Sequence, residues 1–461
     1  MGVKEPGAIL LVACYELGHQ PLAVAWPAAF LEREGYQPAV MDVSVEPFDA
    51  ERVRRAKVAL ISVPMHTALR LGVTVAERVR DVNPACHVAF FGLYATLNAE
   101  HLLAGPADSV LSGEVEAALV GLIGKLEAPG PTSAGANESP RALPVLEKLS
   151  FPVPSRAQLP SLKKYAHLER DGGLELVAYV EASRGCKHLC RHCPIPPVYG
   201  GRFFVVPVEV VLADVRQQVE AGATHVTFGD PDFLNGPGHA LAVARALHAE
   251  FPRLTFDFTA KIEHLLRHRE RLPELASLGC AFIVSAAESL SDTVLAHLEK
   301  GHTRADIEIA VKLVSAAGMT LRPTWVAFTP WTRLEDYREL LEFVETHGLV
   351  DAIDPVQFSI RLLVPPGSLL LESGAMRPYL GTLVKDQFHH AWTHPDPRME
   401  TLHREVAAAV AQAADGREDA ALTFHRVREL ADRAAGAAVR ALAAPPRNRK
   451  RPPRLTEPWF C

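Results

Sequence analysis

Three cysteines in one short loop are the residues of this chain whose types and spacing point most clearly to chemistry. Cys186, Cys190 and Cys193 stand in CxxxCxxC spacing within residues 181–194. A four-iron, four-sulfur (4Fe-4S) cluster normally takes four cysteines, so three leave one iron open to a ligand that is not protein. The spacing therefore predicts a 4Fe-4S cluster with an open position. Zinc is the alternative, and it would want a fourth Cys or His at zinc-site spacing; His188 and His192 lie inside the loop.

Length and composition limit the classes of protein that this chain can be. It has 461 residues, which is too long for one ordinary domain, and 48% of them are hydrophobic. The net charge of -6 gives no reason to expect a nucleic-acid partner. The other four cysteines are scattered and form no disulfide framework. There is no membrane-length apolar run and no signal-peptide core, so we expect a cytoplasmic protein in a reducing compartment.

Residues 7–126 alternate short apolar runs with helical stretches. Five runs fit buried strands that are each followed by a helix, at 8–13, 38–42, 58–63, 87–92 and 109–112. This rhythm predicts a Rossmann-like, doubly wound parallel sheet, whose ligands sit beyond the C-terminal strand ends. We therefore expect an α/β domain over residues 1–126, followed by a linker rich in Pro, Gly and Ser over 127–150.

A second α/β pattern occupies residues 151–372. Six strand-like runs alternate with helices, at 176–180, 225–228, 255–259, 281–285, 320–328 and 356–361. Units of this kind form a partial (β/α)6 barrel with its active groups at the C-terminal strand ends, and the cysteine loop directly follows the first strand. Residues 373–461 are Ala-rich and are predicted to form helices that cap the barrel or form a lid. The tail of this region is basic and Pro-rich, which predicts an extended arm.

The cysteine loop and its place after the first barrel strand resemble those of the radical S-adenosylmethionine (SAM) enzymes, in the branch that carries an N-terminal cobalamin-binding domain. The resemblance covers most of residues 7–372. It implies that Cys186, Cys190 and Cys193 ligate the cluster, and that SAM chelates the open iron and is cleaved reductively. It also implies a small-molecule substrate and an electron donor such as flavodoxin or ferredoxin.

Polar residues at other strand ends resemble the SAM-binding signatures of the same family. Gly229 and Asp230 stand where the family has a Gly-Gly-Glu-like motif that receives the SAM ammonium group; an ordinary strand–helix turn is the alternative. Ser285 and Glu288 resemble a Glu-Ser turn that faces the ribose or the amino acid end of SAM. His192 replaces an aromatic residue that stacks near the adenine, so it is a candidate for stacking or for proton transfer.

The N-terminal domain resembles the cobalamin-binding domain of that branch at two turns. Gly92 falls in the family's Gly-Gly loop, with Phe91 in place of the other glycine, and Gly113 opens a Gly-Glu-Val-Glu segment. The chain has no DxHxxG motif, which in some such domains supplies a histidine below the cobalt. The sequence allows two interpretations of this domain. It either binds cobalamin or keeps the fold as a structural or substrate-covering module.

Cys461 ends the chain directly after two aromatic residues. This ending resembles a radical SAM family whose C-terminus reads Cys-Cys-Ala-Glu-Pro, or the same with selenocysteine in second place, cut at its first cysteine. The resemblance implies a catalytic role for Cys461, against the alternative of an ordinary frayed terminus.

The sequence thus predicts a radical SAM enzyme that modifies an unidentified small molecule, with cobalamin-dependent methylation as one version. A second version transfers a methyl or aminocarboxypropyl group from SAM to a thiophilic acceptor such as arsenic, sulfur or selenium. An alternative of another class is an iron–sulfur redox or sensory module that binds SAM without turnover.

Overall fold

A computed structural model describes residues 2–127, 144–438, 449 and 451–457. Cys461 and most of the expected linker lie outside the described residues. The described chain forms an N-terminal α/β domain, a half-barrel and a C-terminal region of mixed structure.

The N-terminal domain is built on a sheet of five parallel strands in the order β2-β1-β3-β4-β5. The strands are β1 (Ile9–Ala13), β2 (Ala39–Asp42), β3 (Val58–Ser62), β4 (His87–Phe91) and β5 (Ser109–Leu111). The helices are α1 (Leu22–Arg33), α2 (Ala50–Arg55), α3 (His66–Val82), α4 (Leu93–Leu97), α5 (Ala99–Leu103) and α6 (Val115–Glu127). Separate apolar clusters cover the two faces of the sheet, which is why the central strands β1 and β3 are apolar and fully buried along their length. The five predicted strands and the doubly wound fold are confirmed.

The half-barrel contains five parallel strands, β7, β10, β11, β12 and β13. Strand β6 and a C-terminal strand, β16 (Arg454–Leu455), are antiparallel at one edge, and the order is β13-β12-β11-β10-β7-β6-β16. Its strands are β6 (His167–Arg170), β7 (Gly173–Val180), β8 (Ser183–Gly185), β9 (Phe203–Val205), β10 (His225–Phe228), β11 (Thr255–Thr259), β12 (Cys280–Glu288) and β13 (Thr320–Trp325). Its helices are α7 (Pro196–Tyr199), α8 (Val208–Glu220), α9 (Pro237–Glu250), α10 (Ile262–Arg267), α11 (Leu272–Ser277), α12 (Asp292–His297), α13 (Arg304–Ala316) and α14 (Leu334–Thr346).

The sixth predicted strand, over residues 356–361, is not a strand. Residues Pro355–Phe358 form a 3-10 helix, and only a single parallel bridge joins Phe328 to Arg361 at the strand's expected place. Pro355 sits at the first position of this turn, where its fixed backbone angle favours helical over extended geometry. The predicted partial barrel is confirmed, with its sixth position reduced to this bridge.

The C-terminal region is not wholly helical, in contrast to the sequence prediction. Its helices are α15 (Pro397–Asp415) and α16 (Ala420–Ala434), and its strands are β14 (Leu380–Val384), β15 (His389–Trp392) and β16 (Arg454–Leu455). Strands β14 and β15 form an antiparallel hairpin whose tip places Phe388 in the core of the N-terminal domain. Strand β16 pairs with the edge strand β6, so the tail closes that side of the sheet. Both additions pair across long sequence separations, which local patterning does not reveal.

Candidate functional site

The cysteine loop leaves the C-terminal end of β7 and folds back on itself before α7. Gly185 has a φ of +74°, and a Cβ there would lie 2.5 Å from the backbone oxygen of Arg202, so this turn requires glycine. Cys186 and Cys190 are buried, and Cys193 is partly buried. The amide of Cys193 donates to the carbonyl of Cys190 across 3.2 Å, which bends the second half of the loop. The chain thus brings the three predicted ligands together in one buried turn.

The residues present fit an iron–sulfur cluster. Burial, and then the charges of Cys190 and Cys186, raise the pKa of the Cys193 thiol to about 12. Thiols held in this way give up their protons readily only to a metal. The ammonium group of Lys300, itself buried, faces Cys190 and Cys193 and offsets the negative charge that a thiolate-bound cluster carries.

His192 and Glu288 are brought together beside the cysteines. His192 Nε2 lies 3.0 Å from Glu288 Oε1, and Lys300 Nζ donates to the same oxygen across 3.2 Å. Burial opposes ionisation of Glu288, but Lys300 and His192 outweigh it and hold the pKa of this carboxyl below its usual range. Glu288 also has a φ of +66°, a strained value for a residue with a side chain. Two predicted site residues are therefore joined by a hydrogen bond, at a carboxyl group that also pairs with Lys300.

The other predicted SAM contacts lie at the strand ends, and their side chains bond to the protein itself. Asp230 accepts from the Ala182 amide at 2.9 Å and from the Ser183 hydroxyl at 2.5 Å, and burial raises its pKa to about 7. The Ser285 hydroxyl donates to the Ala260 carbonyl across 2.7 Å. Asp230 is placed to hold the start of the cysteine loop, and both Asp230 and Gly229 line the cavity described below.

A hydrogen-bonded chain supports the middle of the same loop. Lys261 Nζ donates to His188 Nδ1 at 3.0 Å, and His188 Nε2 lies 3.2 Å from His264 Nε2. His264 Nδ1 in turn lies 2.8 Å from Asp232 Oδ2. The two histidines and Asp232 could surround a metal ion, but the adjacent ammonium group of Lys261 opposes a cation there. We interpret the chain as the anchor of His188, at the centre of the cysteine loop.

A cavity of about 510 Å³ lies between the half-barrel and the N-terminal domain. Its walls include Gly185 and Gly229 from the barrel, and Pro64 and Gly92 from turns that follow β3 and β4. A Cβ on Gly229 would lie 2.5 Å from the Tyr179 ring, so glycine lets that ring lie across the strand end. The C-terminal edges of both sheets thus face one cavity, at the position where ligands of parallel α/β folds bind.

Arg184, two residues before the first cysteine, joins the cysteine loop to the N-terminal domain. Its Nη1 lies 2.7 Å from Glu116 Oε1 and 3.2 Å from Glu114 Oε2, and its Nε lies 3.1 Å from Glu181 Oε2. Tyr199 donates to the second oxygen of Glu114 at 2.7 Å. All of these groups are largely removed from solvent, so the interface carries one guanidinium among three carboxyl groups.

The two turns that resemble a cobalamin-binding domain are filled by the chain itself. A Cβ on Gly92 would lie 3.0 Å from the backbone of Val63, and one on Gly113 would lie 2.1 Å from the carbonyl oxygen of Val145. The Glu114 amide also donates to this oxygen, at 2.7 Å. Both glycines are therefore explained by packing of backbone on backbone. They do not form a cradle for a corrinoid, and we derive no step through cobalamin.

Sequence reasoning did not identify Arg184, Glu16 or Glu457 as cavity residues. Glu457 lies 2.8 Å from His19 across 438 positions of sequence, a contact that no local pattern could indicate. The sequence did contain an indication of the contacts that Arg184 makes. The two glutamates of the Gly-Glu-Val-Glu segment and an arginine beside the cysteines are complementary charges at facing strand ends.

Three cysteines in one loop at the C-terminal end of a half-barrel strand fit an iron–sulfur centre with an open position. The comparison with protein families makes the class specific. Residues 180–344 match the model of the Radical SAM superfamily. The chain therefore contains a radical SAM domain over these residues, and this domain implies a 4Fe-4S cluster and SAM.

Curated relatives share part of their length with this chain. It is 26% identical over 329 residues to the hopanoid C-3 methylase of Methylococcus capsulatus, covering 68% of this chain and 62% of that protein. It is 28% identical over 181 residues to the ribosomal-protein methylthiotransferase RimO of Porphyromonas gingivalis, covering 36% of this chain and 40% of that protein. The chain thus spans less than two thirds of the length of either relative.

Solved structures share the fold. The cobalamin-dependent SAM radical enzyme OxsB, with aqua-cobalamin and SAM bound, superposes with a TM-score of 0.69 at 14% identity, over 93% of this chain and 73% of that one. The radical SAM methyltransferase TsrM from Kitasatospora setae, with tryptophan substrate and a SAM analogue bound, gives 0.60 at 19% identity, over 74% and 71%. The arrangement of an N-terminal α/β domain beside a half-barrel is confirmed. Within the described residues, no helix has the length and apolar character that a bilayer span requires.

Proposed function

We propose that this enzyme cleaves SAM reductively at a 4Fe-4S cluster held by Cys186, Cys190 and Cys193, and modifies a small molecule in the cavity between its two domains. The observation that carries this proposal is the position of the cysteine loop. Gly185, directly before the first cysteine, lines the cavity together with Gly229 at the neighbouring strand end. A radical formed there would arise inside the cavity that lies between the two domains.

The chain's own groups position this chemistry. When bound, the cluster supplies the electron that cleaves the sulfonium bond of SAM. Asp230 fixes the first residues of the loop through Ala182 and Ser183, and Lys300 places a positive charge against two cysteines. We assign Gly229 and the backbone at Asp230 to SAM binding.

The remaining predicted SAM contacts are proposed on their positions. Glu288 and His192 form one hydrogen-bonded pair, His192 directly precedes Cys193, and we propose that this pair contacts SAM. Ser285 is fully buried and bonds to Ala260, so we propose that it shapes the end of β12 rather than touching SAM through its hydroxyl.

We propose group transfer to the substrate, of the methyl or methylthio type, as the class of reaction. This is supported by the names of the two relatives, a methylase and a methylthiotransferase, and by the shared fold with OxsB and TsrM. We further propose that the donor of electrons is a small flavodoxin or ferredoxin.

Transfer to a thiophilic acceptor is the second candidate, and one observation favours it. Glu457 lines the cavity and lies 2.8 Å from His19, which places the tail at the cavity wall four residues before Cys461. We propose on this basis that Cys461 takes part in catalysis by binding such an acceptor with its soft sulfur.

The nucleoside product of SAM distinguishes these candidates. Anaerobically reconstituted enzyme would be incubated with SAM and dithionite, and the products identified by mass spectrometry. 5'-Deoxyadenosine would show radical cleavage, S-adenosylhomocysteine methyl transfer, and methylthioadenosine aminocarboxypropyl transfer. Loss of the product in Cys190→Ala is expected. A protein that binds SAM with its cluster intact and forms no nucleoside in any condition would contradict the proposal and favour a sensory role.

A further inference from the structure

The walls of the cavity carry an excess of acidic groups. Among the described residues, seven carboxyl side chains and two arginines line the cavity. Both arginines are already paired: Arg184 contacts Glu114, Glu116 and Glu181, and Arg322 contacts Asp354 at 3.1 Å. The protein therefore places more carboxyl groups on this space than its own cations can balance.

Glu16 and Glu181 converge on the first turn of α1. Glu16 Oε2 accepts from the backbone amide of Ala23 at 3.2 Å, and Glu181 Oε2 accepts from the indole Nε1 of Trp26 at 3.2 Å. Ala23 and Trp26 are three positions apart and so share one helix face. Both carboxyl groups line the cavity, which places two acids side by side in a low-dielectric space.

A third acid on the same wall has an oxygen without a partner. The side chain of Glu116 is 3% exposed and uses Oε1 to contact Arg184, whereas Oε2 is buried with no hydrogen-bond donor. A buried carboxylate oxygen without a donor costs free energy that a ligand donor would recover. The cations nearest the wall do not fill this role, because Arg156 directs its guanidinium at Asp214, 2.6 Å away.

The electrostatics of Glu16 agree with this geometry. Burial, and then the charge of Glu181, raise the pKa of Glu16 to about 8. Such a carboxyl group is either protonated or matched by a cation that enters from outside.

We infer that Glu16, Glu116 and Glu181 form the binding wall for a cationic group of the substrate, of the amine or guanidinium class. This inference rests on the proposed function, since it names the substrate class of the same cavity. The rest of the space suits an apolar body, because Phe91, Val198 and Phe228 also line it. Glu16 and Glu116 belong to the N-terminal domain and Glu181 directly follows β7, whereas the proposed SAM contacts directly follow β10 or lie on β12.

A matched pair of probes tests the charge preference without knowledge of the substrate. 2-Phenylethylamine and 2-phenylethanol have the same shape and differ in carrying an ammonium or a hydroxyl group. Their affinities would be measured by equilibrium dialysis on full-length enzyme that carries its cluster and is saturated with SAM. We expect the amine to bind at least about tenfold more tightly than the alcohol. Equal binding of the two probes, or no binding of either, would overturn the inference.

Variants test whether the preference for the amine arises from the glutamates of the binding wall. Glu16→Gln and Glu181→Gln should each reduce the ratio of amine to alcohol affinity several-fold, and Glu209→Gln, on the exposed surface of α8, should leave it unchanged. An amine preference that survives in the Glu16→Gln, Glu181→Gln double variant would overturn the inference. So would a loss of SAM affinity in place of amine affinity, because the wall would then belong to the SAM site.

The comparison of the two probes on the unmodified enzyme tests the inference even if a variant fails to fold. Failure of the proposed function shows separately, as an absence of SAM cleavage in an enzyme whose amine preference is intact.

Discussion

Replacing Arg184 with methionine tests how the two domains are held around the cysteine loop. The side chain of Arg184 is 11% exposed, and those of Glu114 and Glu116 are 1% and 3% exposed. Arg184→Met leaves these two carboxyl groups buried without their cation. Breaking a buried ion pair on one side costs about 3–5 kcal/mol, so we expect a loss of this size in the free energy of unfolding at neutral pH.

The pH dependence of this loss follows from the state of Glu114. Burial raises the pKa of this carboxyl group, and Arg184 acts against burial. Without the guanidinium, the folded pKa would rise further above the unfolded value, so the folded state would bind a proton more tightly than the unfolded state. The destabilisation should therefore be small near pH 5 and grow as the pH rises toward 8.

Urea unfolding of the wild type and of Arg184→Met, followed by tryptophan fluorescence, measures this effect. Trp26 reports on the interface, since Arg184 lies 5.2 Å from its ring centroid. Adding Glu114→Gln and Glu116→Gln to Arg184→Met should restore at least half of the lost free energy, because neutral groups no longer need the cation. An unchanged midpoint in Arg184→Met, or no recovery in the triple variant, would refute the reasoning.

Three glycine substitutions give further predictions, each measured by urea unfolding. Gly229→Ala puts a methyl group 2.5 Å from the Tyr179 ring and should cost about 1–3 kcal/mol and weaken SAM binding. Gly113→Ala meets the backbone oxygen of Val145 at 2.1 Å, at a φ of +84°, and should cost more than Gly229→Ala because backbone cannot move aside. Gly121→Ala, in α6 with nothing within 4 Å, is the control and should stabilise by about 0.5–1 kcal/mol. A cost at Gly121 equal to that at Gly113 would contradict the steric argument.

The arrangement of strands and the location of the cysteine loop could be predicted because both depend on local sequence. Apolar runs separated by helical stretches mark buried parallel strands, and the loop directly follows one of them. The prediction of a strand at 356–361 was wrong because periodicity alone does not distinguish a short buried strand from a helical turn. Pro355 favours the turn.

The walls of the site depend on contacts between distant segments, and these could not be predicted. Arg184 meets Glu114 across 70 positions, and Glu457 meets His19 across 438. The sequence shows that such residues carry charge, but the docking of the two domains decides which charges meet. The same holds for Arg454 and Leu455, within and beside the predicted extended arm, which pair with β6 as strand β16 at the edge of the sheet.

The measurement that most directly tests the central claim is electron paramagnetic resonance of the reduced protein with and without SAM. The three-cysteine site predicts a reduced 4Fe-4S signal, with about four irons per chain, that changes when SAM binds the open iron. Cys186→Ala, Cys190→Ala and Cys193→Ala should each lose it. A zinc-bound protein without this signal, or a cluster signal that SAM leaves unchanged, would contradict the assignment of a radical SAM enzyme.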